Sequence, residues 1–246
     1  MTVQSHTAAT KPMTGDIGRV MANVPGWTPE DQLLALSLLA LTTAPLGGDI
    51  LEIGSWCGRS TTVIGHAVRR SGVGRVYAID LFPDLSDWQQ NPDGSHSFSV
   101  KLGDGVALGY QNQTVWDEPF QRDIVPVYAR DPRLLNIFLG AVEREGLQDI
   151  ITPFRGTATM FADQAPKDLR IRLAFLDGDH GYDEVCRDIE QVERFLVPGG
   201  WIAFDDAFSY YDGVNRAIED RIMKSGKFEY GQQVSRKLFV ARRKGV

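Results

Sequence analysis

Five short apolar runs alternating with segments of helical spacing leave this chain few folds to choose from. The runs are "DILEIG" (49–54), "RVYAIDLF" (75–82), "DIITPFRG" (149–156), "IRLAFLD" (171–177) and "GWIAFDD" (200–206). Strands apolar on both faces belong in a parallel sheet covered by helices on both sides. "RSTTVIGHAVRRSG" (59–72) supplies one helix, with Val63, Ile64, Ala67 and Val68 on one side. "PRLLNIFLGAVEREGL" (132–147), "YDEVCRDIEQVERFL" (182–196) and "GVNRAIEDRIMKSG" (213–226) supply others. An earlier helix is expected within "GWTPEDQLLALSLLAL", with Thr28 as N-cap, Pro29 at the first helical position and Glu30 and Asp31 at the positive end of the dipole. The last two strand-like runs, "KFEYGQQVS" and "KLFVARR", have too short a link for a parallel crossover and must pair as an antiparallel hairpin. The pattern predicts a doubly wound, Rossmann-like α/β fold with a seven-stranded, mostly parallel sheet ending in that hairpin.

The domain plan expected is a flexible lead-in over 1–26 and a single domain over 27–246. Residues 83–131 break the α/β rhythm: they are long, polar and turn-rich, and they carry Trp88, Tyr110 and Trp116. Insertions of this length are usually functional lids or linkers, and the aromatics favour a partly ordered lid near a substrate. A net charge of −6 gives no basic field for nucleic acid, and no apolar run reaches the roughly 18 residues that a membrane span needs. The N-terminus lacks the pattern of a secretory signal, and two cysteines, Cys57 and Cys186, make no disulfide framework, so a cytoplasmic protein is expected. A homodimer through the first apolar helix is an expectation that one sequence does not test.

The chemistry-bearing residues fall where strands end. "EIGSWCGRS" joins the first strand to its helix, the place where an α/β sheet offers backbone N–H groups to a ligand. Gly54 and Gly58 permit a tight turn there, but the third glycine of a dinucleotide fingerprint is missing. Asp80 ends the second strand, 26 residues after Gly54, in the position of an acid that accepts both ribose hydroxyls. Asp177 stands at the end of the fourth strand, Asp205 and Asp206 at the end of the fifth. If those strands are neighbours, about 4.8 Å apart, the three carboxylates converge. Such a group requires a proton or a cation, and its hard oxygen ligands suit Mg²⁺ or Mn²⁺. The plainer alternative is that Asp205–Asp206 caps the next helix and Asp177 only meets a cofactor.

Together these residues resemble the class I S-adenosylmethionine-dependent methyltransferases. "LEIGSWCGRS" is similar to their first motif, Asp80 to their ribose-binding acid, and "FLVPGGWIAFDD" to the turn before their fifth strand. The resemblance spans roughly 45–82 and 148–244. "LDGD" with the later "FDD" is similar to the metal-dependent macrocin and novobiocin sugar O-methyltransferases. That resemblance implies Asp177, Asp205 and Asp206 as Mg²⁺ ligands and Asp179 as general base. His180 is a second candidate base, because "DGDHGYD" also occurs in a branch with an incomplete metal set. It further implies Glu52 near the amino group of the methionine moiety, Ser60 and the N–H groups around Gly58 at its carboxylate, and Gly156 and Thr157 near the adenine. Ser55, Thr61 and Leu81 complete the implied cofactor set, which Asp177 borders. The implied partner is a small-molecule hydroxyl acceptor of natural-product or sugar type. A nicotinamide oxidoreductase and a non-catalytic binding protein are the alternatives from other classes.

Overall fold

The apolar runs become the strands they are read as. In this computed structural model, which describes residues 13–110 and 115–245, β1 (Asp49–Ile53), β2 (Val76–Asp80), β7 (Ile151–Arg155), β8 (Ile171–Leu176) and β9 (Leu196–Phe204) run parallel. β10 (Phe228–Gln233) and β11 (Phe239–Arg243) form the expected antiparallel hairpin, and β11 pairs antiparallel with β9. The sheet order is β10-β11-β9-β8-β1-β2-β7. The chain moves from β1 outward to β2 and β7, then returns to lay β8 on the other side of β1. That reversal opens a crevice at the carboxyl ends of β1 and β8, where α/β sheets hold their ligands.

Alternate side chains of each strand pack on opposite helix layers, as the pleat requires. Ile50, Leu173 and Phe175 join Leu33, Ile64 and Phe138 on one face. That layer contains α1 (Met13–Asn23), α2 (Glu30–Thr42), α3 (Arg59–Ser71) and α4 (Leu134–Arg144). Leu51, Ala174 and Leu176 join Phe161, Ile189 and Val214 on the other. The second layer contains α5 (Ala158–Gln164), α6 (Tyr182–Glu193) and α7 (Asp212–Ala217), which continues as a wider turn through Met223. Among the described residues no helix is long and apolar enough to cross a membrane.

Two sequence expectations need correction, and one helix is new. The lead-in is not flexible from residue 13 onward. Ile17, Val20 and Val24 repeat at helical spacing and are buried in the core that also takes α3, and Arg70 Nη2 is 2.6 Å from Asp16 Oδ2. Arg19 ties the same helix to the end of α4, with Nη2 2.8 Å from Glu145 Oε2. The first expected helix, α2, starts at Glu30 and has no side-chain cap, so Thr28 does not serve as its N-cap; it is buried beside the cavity described below. The helix α5 was not anticipated, although Thr157 caps it by accepting a hydrogen bond from Met160 N at 3.2 Å.

The polar insertion folds as a small antiparallel sheet of β3 (Trp88–Gln90), β4 (Ser95–Leu102), β5 (Gly105–Gly109) and β6 (Val115–Trp116). A cluster of rings organises it: Trp88 lies 4.9 Å from Phe98, 5.6 Å from Tyr110 and 5.2 Å from Phe120 between ring centres. Gly109 is required here, because a Cβ would sit 2.1 Å from the Phe98 ring.

Candidate active site

The turn after β1 is built on backbone contacts that exclude side chains. Gly54 has φ +89°, and a Cβ on it would lie 2.0 Å from the Asp177 carbonyl oxygen. Glycine therefore lets the ends of β1 and β8 touch. Trp56 follows with φ 47°, a strained conformation for a bulky residue, and its backbone N–H donates to Asp80 Oδ2 at 2.9 Å. Phe82, also left-handed with φ 44°, donates its N–H to Asp80 Oδ1 at 2.6 Å. Burial pushes the Asp80 carboxyl above its ordinary range, and the N–H groups of Trp56, Phe82 and Ser55 oppose that rise. Each carboxylate oxygen has lone-pair capacity beyond these bonds, so Asp80 can still accept from a pair of hydroxyls.

Glu52 lies one layer deeper. It is fully buried on β1, and Ser55 Oγ donates to its Oε2 at 3.0 Å, with Thr61 and Ser60 also donating to the carboxyl. Its Oε1 has no partner among the described residues. Burial pushes its carboxyl up to about 7. The hydroxyls of Ser55, Ser60 and Thr61 are thus turned toward a buried acid that would otherwise be unsatisfied.

At the ends of β8 and β9 the acids do converge, because these strands pair in register, Leu176 beside Phe204. Asp177 faces Asp205, and like charges this close oppose ionisation of both. Burial, and then the Asp205 charge, hold the Asp177 carboxyl well above its usual range. Gln32 Nε2 donates to Asp205 Oδ1 at 2.5 Å, and Lys237 Nζ lies 2.8 Å from Asp205 Oδ2 and 3.1 Å from Asp206 Oδ1. His180 Nε2 is 3.0 Å from Asp206 Oδ2, and its ring stacks on Tyr211 at 3.9 Å. Burial alone would raise the Asp206 carboxyl, but His180 and Lys237 outweigh it and hold it low. For Lys237 burial favours the neutral amine, yet the surrounding aspartates keep the ammonium charged. The loop carrying His180 is seated against α7 at Gly213, where a Cβ would meet the His180 carbonyl at 2.2 Å.

The expected metal set therefore does not fit a divalent ion. Both oxygens of Asp205 and both of Asp206 already face Lys237, Gln32 or His180, and an ion would have to sit beside an ammonium. Among the described residues there is no group of three or more acids, histidines or cysteines arranged to hold a metal.

A cavity of about 880 Å³ unites the two sets of residues. Gly54, Ser55, Ser60, Asp80, Leu81, Gly156, Thr157, Asp177, Asp179, His180, Asp205 and Asp206 line it, whereas Glu52, Gly58 and Thr61 do not. Asp179 accepts a hydrogen bond from Gly181 N at 2.7 Å and so braces its own loop. Trp27, Trp56, Phe98, Leu108, Tyr110 and Ile124 add an apolar side. Cys57 is buried, and burial pushes its thiol up, away from nucleophile behaviour.

Lys237, Gln32, Tyr211 and Asp188 were not anticipated. Asp188, on α6, is pushed up to about 7 by burial and then by the Asp179 charge. Lys237 reaches the site through the pairing of the terminal hairpin. The hairpin register sets Phe239 beside Phe204, which carries Lys237 to the level of Asp206, and Ala207 N donates to Lys237 O at 3.0 Å.

A cavity at the sheet's switch point, a glycine turn and an acid ending the neighbouring strand are the features of a doubly wound α/β site for a nucleoside-bearing ligand. The sequence matches the family described as Methyltransferase domain over residues 51–207, and the chain belongs to that family. Its fold is similar to that of the O-methyltransferase NovP, with a TM-score of 0.64 at 12% identity over 95% of this chain and 97% of that one. It is also similar to an O-methyltransferase from Bacillus cereus (TM-score 0.56, 16% identity, 97% and 94% covered). TomG from Streptomyces achromogenes is another similar structure (TM-score 0.55, 14% identity, 98% and 93% covered).

Proposed function

We propose that the protein methylates a hydroxyl oxygen of a small molecule, with His180 as proton acceptor. Bound S-adenosylmethionine supplies an electrophilic methyl group on a sulfonium. Asp80, the N–H groups after β1 and the Gly156–Thr157 edge are the residues suited to hold its nucleoside. The single observation that carries the acceptor chemistry is His180 Nε2 held 3.0 Å from Asp206 in the same cavity. When His180 takes the acceptor's proton, the Asp206 carboxylate 3.0 Å from Nε2 stabilises the imidazolium that forms. Asp179, already bracing its loop, is the weaker candidate.

Support for oxygen as the acceptor atom comes from the similar structures: NovP and TomG are described as O-methyltransferases, and CalS11 as a TDP-rhamnose 3'-O-methyltransferase. The Bacillus cereus and TomG structures hold SAH and SAM. The aromatic insertion is suited to cover an acceptor of natural-product size, as a lid. A Mg²⁺- or Mn²⁺-assisted transfer is disfavoured by the ion pairs of Lys237. Two buried free cysteines are in keeping with a cytoplasmic setting. The test is incubation with isotopically labelled methyl donor and a panel of hydroxylated sugars and phenols, read by mass spectrometry. A labelled methyl ether whose formation falls with His180→Gln is expected; label appearing only on nitrogen or carbon acceptors would refute the reading.

A further inference from the structure

We propose that Lys237 is a built-in cation that takes the place of a divalent metal in the acceptor half of the site, a proposal that rests on reading the aspartate cluster as that half. The ammonium is not a wandering surface group. Its backbone is fixed opposite the end of β9 by the β9–β11 register and by the bond from Ala207 N to Lys237 O at 3.0 Å. Its side chain is 21% exposed and lies against both members of the Asp205–Asp206 pair, at 2.8 and 3.1 Å. Asp205 is closed on its other oxygen by Gln32, and Asp206 on its other oxygen by His180. The carboxylates that a metal would bridge are therefore bridged by one nitrogen.

A single ammonium can perform two of the tasks of such an ion. It compensates the charge of acids that converge at adjacent strand ends, and it keeps Asp206 in place as the partner of His180. It cannot coordinate an acceptor oxygen as a Lewis acid does, so proton removal falls to a side chain. Lys237 is accordingly a positioning residue, acting on the acceptor through Asp206 and His180.

The distinguishing measurement is Mn²⁺ titration of the full-length protein followed by electron paramagnetic resonance, with calorimetry of S-adenosylhomocysteine as a parallel readout. Wild-type protein is expected to leave Mn²⁺ free up to about 1 mM, and Lys237→Ala to bind one equivalent at least about tenfold more tightly. A purely structural lysine would produce no such gain. Stoichiometric Mn²⁺ binding by wild type near roughly 100 μM would overturn the proposal. So would a folded Lys237→Ala protein that binds S-adenosylhomocysteine but gains no Mn²⁺. Should Lys237→Ala fail to fold, Lys237→Gln, which keeps a hydrogen-bonding side chain without the charge, is expected to show the same gain, and its absence would count equally against the proposal. Loss of S-adenosylhomocysteine binding by wild type would instead strike the methyltransferase function itself, so the two failures are distinguishable.

Discussion

Asp80 and Asp206 stand near the carboxyl ends of strands of one sheet and face one cavity, yet their charges are met in different ways. Asp80 is held by the N–H groups of Trp56 and Phe82, donors that belong to the backbone and move only if the strand-end turns move. Asp206 is held by Lys237 and His180, donors that a single substitution removes. The cofactor half is thus fixed by the fold, and glycine and left-handed residues are its cost. The acceptor half is fixed by side chains, so it can be retuned without rebuilding the sheet. Residues Trp56, Phe82, Tyr110 and Asp206 all have positive φ, which places backbone strain on both sides of the comparison.

The largest expected effect falls on the backbone-built half. Gly54→Val puts a branched side chain where a Cβ already lies 2.0 Å from the Asp177 carbonyl, at φ +89°. It should destabilise the protein by about 4 kcal/mol or more in urea melts, and near-wild-type stability would show that the turn is not the rigid element described. In the side-chain-built half, His180→Ala should lower kcat by roughly 10²–10⁴-fold with little change in S-adenosylhomocysteine affinity. Parallel losses of binding and turnover would erase the division between the halves.

A smaller effect sharpens the comparison through pH. Glu52 has a folded-state pKa of about 7 against an ordinary 4.5, so the folded protein binds its proton more tightly than the unfolded chain does. Its contribution to stability is complete below about pH 4.5 and is lost as pH rises through 7, a difference of up to about 3 kcal/mol. Glu52→Gln should flatten the stability profile over that window, and an unchanged stability difference between denaturant melts at about pH 4 and about pH 8, on either side of the two pKa values, would contradict the assignment. The smallest effect is outside the site. Arg19→Met removes the link from α1 to the buried Glu145, and because the arginine is 38% exposed the loss should be only about 1–2 kcal/mol. A thermal melt unchanged by that substitution would mean that apolar burial and the Arg70–Asp16 pair suffice to dock α1.

The sheet was legible because each strand is apolar on both faces and each crossover is helical, a pattern with few folded solutions. The terminal hairpin followed from chain length alone. Asp80, Asp177, Asp205 and Asp206 were legible because strand ends in a parallel sheet share an edge. The α1 helix was overlooked although Ile17, Val20, Met21 and Val24 keep helical spacing, since polar flanks masked a short apolar stripe. The insertion's partial order was legible from its aromatics, but its sheet was not: Trp88, Phe98, Tyr110 and Phe120 are scattered in sequence and meet only after β4 pairs with β3 and β5. Lys237 is the instructive omission. Counting acids suggested a metal, whereas the counter-charge lay about 30 residues downstream in a hairpin whose register had to be known first.

The central claim, that the turn after β1 and Asp80 form the nucleoside site while the acid cluster already holds a cation of its own in Lys237, is tested most directly by calorimetric titration of S-adenosylhomocysteine into wild-type protein, with EDTA and then with Mg²⁺. The account predicts micromolar binding that is the same in both. Absence of heat at two temperatures, or binding that appears only with Mg²⁺, would contradict it.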